Sequence, residues 1–147
     1  MLINSVNPEP PPADDLVLMP WKPGPRHDIS GPVFVAVTDF LAGSDADVQR
    51  IFELGLELER TWPVMHGAVG LWLWGKPSQL RGGSISVWET EADMRRFVRW
   101  PVHAEIMRAW VRRVGVVSDS WHAARFDSAA VLTQARRTID RPHRDAA

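Results

Sequence analysis

The sequence predicts an α+β plait: one antiparallel sheet, with two helical crossovers, in the order β-α-β-β-α-β. Three observations carry this. Four β-rich runs follow a proline-dense start, two helical patterns separate them in the right places, and the two central runs are joined by a short turn without a helix. The chain has 147 residues, 45% hydrophobic and 24% charged, enough for one domain with its own core.

Residues 1–32 hold eight of the twelve prolines, which excludes helix and central strand. We read them as an extended arm. Leu16, Val17, Leu18, Met19 and Trp21 are too apolar for a free linker and are expected to strap across the domain or a partner subunit. "VFVAVTDF" from Val33 is the first strand. "SDADVQRIFELGLELER" is the first helix, capped by Ser44 or Asp45, with Val48, Ile51, Phe52, Gly55 and Leu58 as its stripe. "HGAVGLWLWG" is the second strand, "KPSQLRGG" a loop and "SISVWE" the third strand. Thr90 caps "EADMRRFVR", with Asp93 at the capping-box position. Pro101 breaks this helix or opens "VHAEIMRAWVRR", which ends at Gly115. "SDSWHAARF" is the fourth strand. "DSAAVLTQARRTI" is a terminal helix with Leu132, Ala135 and Ile139 on one side, and "DRPHRDAA" is expected to fray. The organisation is thus an arm over 1–32, a ferredoxin-like plait over 33–126, and a helix with a frayed tail over 127–147.

Strict strand alternation places Val33, Val35 and Val37 with Val69, Leu71 and Leu73 and with Ile85 and Val87, a face expected to meet the helices. The opposite face then gathers Phe34, Trp72, Trp74 and Trp88. Left bare, that patch exceeds what monomers usually expose. A second copy packed sheet to sheet is the simplest cover, so a homodimer is expected.

Composition removes several chemistries. Net charge is −1 and nothing calls for nucleic acid or an anionic membrane. There is no cysteine, hence no disulfide, thiolate nucleophile or thiolate zinc site; a cytoplasmic location fits. The start lacks the basic and apolar regions of a signal peptide, and the longest apolar run, Gly67 to Gly75, is too short to span a bilayer as a helix. "HAE" at His103–Glu105 superficially matches a zinc-deaminase fragment, but the accompanying cysteines are missing. No metal is expected: His27, His66, His103, His122 and His143 are scattered. No phosphate loop, RNA-reading pattern or nucleophile elbow is present. The arginines at 95, 96, 99, 108, 112 and 113 mostly sit near helix C-termini, where they favour the dipole.

His103 remains. At helical spacing it shares a stripe with Ile106, Met107 and Trp110. One reading is a packed histidine bonded to a backbone carbonyl. The other is an imidazole in a helix–sheet cleft, acting as proton carrier or as axial ligand to haem.

The stretch from Gly82 to Trp110 resembles the dimeric α/β-barrel superfamily of antibiotic-biosynthesis-type monooxygenases, nearest to its spheroidene-monooxygenase-like and uncharacterised members. The likeness lies in a strand ending in Trp88-Glu89, a short helix of the "MRRF" type, and a histidine, His103, opening the next helix. "MHGAVGLWLW", Met65 to Trp74, resembles the segment leading into strand two. The resemblance covers Val33 to Trp110, and Ser118 to Phe126 loosely. It implies a dimer of facing sheets and a pocket between sheet and helices in each subunit. It further implies either cofactor-free oxygenation of a deprotonated substrate or chemistry on a haem held by a helical histidine. Some cofactor-free members use Trp, Asn or Tyr around the substrate; this chain has no Tyr and no matching Asn in the plait. The expectation is a small tailoring monooxygenase-like enzyme acting on a hydrophobic organic molecule, with His103 as general base or haem ligand and Phe52, Met107 and Trp110 lining the pocket. The alternatives are a non-oxidative cyclase, isomerase or dehydratase on the same pocket, and a non-catalytic ligand-binding dimer.

Overall fold

A computed structural model describes residues 15–146; Pro8, Pro10, Pro11 and Pro12 of the expected arm lie outside the described residues. The elements are β1 (Val17–Leu18), β2 (Lys22–Pro23), β3 (Val33–Leu41), α1 (Asp45–Glu59), β4 (Ala68–Lys76), β5 (Arg81–Trp88), α2 (Glu91–Arg99), α3 (Pro101–Trp110), β6 (Gly115–Ala123) and α4 (Ser128–Ile139). All pairings are antiparallel in the spatial order β4–β5–β3–β6, with β1 and β2 both laid against the outer edge of β4. This is the expected α+β plait, down to the order of its strands and crossovers. Among the described residues no helix is long and apolar enough to cross a membrane.

The helices start where the sequence places their caps. Ser44 accepts the Asp47 amide at the head of α1, and Thr90 accepts the Asp93 amide at the head of α2. The arm straps its own domain. Trp21 lies on Gly70, where an added Cβ would collide with the indole, and its ring is 4.2 Å from Trp72 and 5.1 Å from Phe126.

The faces of β4 depart from strict alternation. A bulge in β4, between Ala68 and Gly70, puts an extra residue opposite β5 and so inverts the alternation that follows it. Val69, Trp72 and Trp74 therefore share the face of Val33, Val35, Val37, Ile85 and Val87, while Leu71 and Leu73 join Phe34 and Trp88 on the other. The four aromatic residues expected to form one bare dimer patch, Phe34, Trp72, Trp74 and Trp88, are split between two faces and all buried within the single chain. The valine face is covered by Val131, Ala135 and Ile139 of α4 together with Trp21 and Phe126. Phe52, Leu56, Met94 and Phe97 of α1 and α2 cover the other. The sheet is thus layered on both sides, and the reason given for sheet-to-sheet pairing no longer applies.

The C-terminal tail is also tied down rather than frayed at His143. Its ring is fully enclosed. Nε2–H donates to the Asp39 carbonyl at 3.1 Å, and Nδ1 accepts the Asp145 amide at 3.0 Å. The two bonds fix the ring's orientation. Beside it Arg81 grips Asp39 in a buried two-point pair at 2.7 and 3.3 Å. Lys76, also buried, donates to the last carbonyl of α4, that of Ile139, at 3.0 Å.

Candidate functional site

The corner between α2 and α3 is made by Trp100-Pro101. Trp100 is extended, as a residue before proline tends to be, and Pro101 supplies the first position of α3, where its missing N–H costs nothing. Carbonyls in the last turn of α2 then need other donors. One of them, Val98, faces His103 Nδ1 at 3.1 Å. A carbonyl can only accept, so Nδ1 carries the proton and the lone pair sits on Nε2. The His103 ring packs on Phe97, with centroids 4.5 Å apart. Burial among these groups holds the imidazole below its usual value, opposed in part by the bond to Val98. At neutral pH the ring is a neutral base with one free nitrogen.

Phe97 is the neighbour of His103 that sequence reasoning passed over. It meets Trp62 and Trp88 at 5.2 and 5.4 Å, so one phenyl ring joins the buried aromatic cluster to His103. The signal was its spacing of three from Met94, which puts both on the inner face of α2. Beneath it the Trp62 indole N–H is buried with no acceptor among the described residues, a cost of about 1–3 kcal/mol unless an acceptor reaches it.

The expected lining residues are not equally placed. Phe52 packs against the buried cluster. Met107 and Trp110 are half-buried on α3, and α3 contributes no residue to either core cluster. Indeed no residue of α1 or α3 is fully buried. The far end of this loosely sealed layer is tied: Arg113 stacks over Trp110 at 4.4 Å and bonds Asp47, in the first turn of α1, at 2.8 Å.

Phe97 also lines a groove of about 510 Å³. Its apolar walls are Val64, Met65, Phe97, Trp100 and Pro101, and its polar groups are His66, Asp93, Arg96 and Arg99. Asp93 is buried against Gly67, whose φ of +75° admits no Cβ there without striking the carboxylate. Thr90 donates to its Oδ2 at 2.7 Å, Arg96 to its Oδ1 at 3.0 Å, and His66 Nε2 stands 3.5 Å from Oδ1. Asp93 was legible only as a helix cap, and nothing in the sequence joined it to His66.

Among the described residues no three His, Asp or Glu side chains cluster as metal ligands. Haem asks for more than one nitrogen. His103 Nε2, with its tautomer fixed by Val98, suits an axial ligand. Of the groove and a second hollow of about 250 Å³ under the C-terminal tail, neither is lined by His103, so neither would seat a macrocycle on its Nε2. No step is therefore routed through haem.

No protein-family model and no curated protein matches the chain. Solved structures do. A haem-degrading enzyme from Listeria monocytogenes superposes with a TM-score of 0.57 at 13% identity, over 73% of this chain and 69% of that one. An uncharacterised ferredoxin-fold protein related to antibiotic biosynthesis monooxygenases, from Listeria monocytogenes 4b F2365, gives 0.50 at 18%, over 63% and 57%. A monooxygenase-like protein from Listeria innocua gives 0.50 at 14%, over 63% and 57%. The chain shares the ferredoxin-like fold of these proteins. At these identities the likeness concerns the path of the backbone, and the chemistry has to come from the side chains.

Proposed function

We propose that this chain is a small monooxygenase-like enzyme that holds an apolar, ring-bearing substrate against α3 and removes a proton from it with His103 Nε2. The observation that carries the reading is the state of His103: Nδ1–H is spent on Val98, burial keeps the ring neutral, and Nε2 is left with its lone pair. Ile106, Met107 and Trp110 on the same helix are half-buried and unclaimed by the core, which suits them to a ligand. The fold shared with monooxygenase-like proteins supports this choice of reaction class. A substrate C–H becomes a carbanion as Nε2 takes the proton. The carbanion reduces dioxygen and bonds to it, and the resulting peroxide loses water to leave a carbonyl. One oxygen atom enters the product, the other leaves as water, and the methylene supplies all four electrons.

Anthrone, whose methylene between two aryl rings is acidic, is a direct probe. The protein is expected to accelerate its conversion to anthraquinone with one dioxygen consumed per turnover. His103→Ala should lower the rate about 100-fold or more, and His103→Gln, which keeps a donor for Val98, should lower it equally. No acceleration over buffer, or a His103→Gln variant with full activity, would leave His103 as a helix cap alone.

A further inference from the structure

We infer that the groove between Val64–His66 and the α2–α3 corner is a separate binding site for a ring-bearing organic anion. Its volume, about 510 Å³, lies in the range of small-molecule pockets, roughly 300–1,000 Å³. Among the described residues its apolar walls are partly open: Val64 is 83% exposed, and Met65, Phe97 and Trp100 are half-buried, with the Phe97 and Trp100 rings 6.4 Å apart at 40° forming an aromatic wall on which a flat ring can lie.

Charge selects the occupant. Among the described residues the groove's single carboxylate is Asp93, and it is spent: the side chain is 8% exposed, with Oδ2 on Thr90 and Oδ1 on Arg96, and His66 Nε2 3.5 Å away. Against it stand two arginines. Arg96 is 59% exposed and commits one guanidinium nitrogen to Asp93. Arg99 has no hydrogen bond or ion pair among the described residues. Lying three apart on α2, both line the groove. An apolar trough with surplus guanidinium donors fits a molecule whose ring stacks on Phe97 and Trp100 while its carboxylate meets Arg99, with the free donors of Arg96 beside it. A cation would meet only the enclosed face of Asp93. An uncharged ring would leave the arginines unused.

The site shares the Phe97 ring with the proposed catalytic position but does not include His103, so the two readings can fail independently. The test is calorimetric titration of the full chain with 2-naphthoate and with its uncharged counterpart 2-naphthalenemethanol. Naphthoate should bind once per chain, at least tenfold tighter than the alcohol, and more weakly as salt is added. Arg99→Gln should cut naphthoate affinity at least fivefold and leave the alcohol unchanged. Val64→Glu should abolish naphthoate binding, and its exposed position preserves the fold, which circular dichroism will verify. His103→Ala should leave naphthoate binding intact. Absence of saturable binding at millimolar naphthoate overturns the inference. So does equal affinity for acid and alcohol, indifference to Arg99→Gln and Val64→Glu, or loss of binding in His103→Ala.

Discussion

On one face of the sheet, Val33, Val35, Val37, Ile85 and Val87 meet Val131, Ala135 and Ile139 of α4, and every one of these side chains is buried. On the other, Phe34, Leu71, Leu73 and Trp88 are just as buried beneath α1 and α2, yet α1 contains no fully buried residue, and neither does α3, which joins no core cluster. The same sheet thus has one layer that is closed and one that is not. The closed layer also holds the enclosed ionic groups, Asp39, Lys76, Arg81 and His143, pinned between strand ends and the tail. The open layer holds the half-buried histidine, the unclaimed stripe of α3 and the groove. The α4 side is sealed by fully buried helix residues, whereas the other side leaves half-buried side chains on α3 and the groove beside α2.

The largest effect should come from the ionic clasp of the closed layer. In Arg81→Ala, Asp39 would keep its place with neither of its two guanidinium bonds, a charge stranded at 4% exposure. Removing one partner of such a pair costs about 3–5 kcal/mol. Urea unfolding should show this as a lower midpoint with an unchanged slope. A loss below about 1 kcal/mol would mean that water reaches Asp39 and that the layer is not closed there.

A matched pair of truncations tests the contrast directly. Ile139 is 1% exposed, and Ile139→Ala should cost about 2–5 kcal/mol for the lost contacts and the cavity left behind. Met107 is half-buried and outside both core clusters, so Met107→Ala should cost less than about 1 kcal/mol. Equal losses would erase the distinction between the faces. If Met107→Ala keeps stability but weakens binding of the anthrone probe, the open layer is the working one.

The fold was legible in the order of its elements because each carries a local signal. Ser44 and Thr90 head their helices, Pro101 divides α2 from α3, and β-branched runs mark the strands. The faces were not legible, for one physical reason. A single bulged residue near Val69 shifts every later residue of β4 to the other side, and no local chemistry announces it. The supposed tryptophan patch depended on that alternation. The tail misled similarly: Arg-Pro-His-Arg-Asp reads as solvent-loving, but His143 finds Asp39 more than a hundred positions away. Of the site, His103 was visible as a polar break in an apolar stripe. Its partner Val98 was not, since a backbone carbonyl has no letter of its own. His66 and Asp93 come together only through the folded chain.

The smallest effect concerns protons, and it probes how enclosed His103 is within the open layer. Burial lowers its basicity in the folded protein below the usual imidazole value of 6.5. The unfolded chain therefore binds a proton more readily than the native one. Above pH 6.5 neither state is protonated and the contribution is fully present. As pH falls through 6.5 toward the lower native value, protonation favours the unfolded chain and the contribution is lost, levelling off once both states are charged. His103→Gln removes this titration while leaving the other histidines in place. The stability difference between the native sequence and His103→Gln should then shift against the native sequence as pH falls from 7 to 5. A difference flat across that range would mean that water reaches the ring freely. Nε2 would then be an ordinary surface base, and the case for His103 as a tuned proton acceptor would rest on the Val98 bond alone.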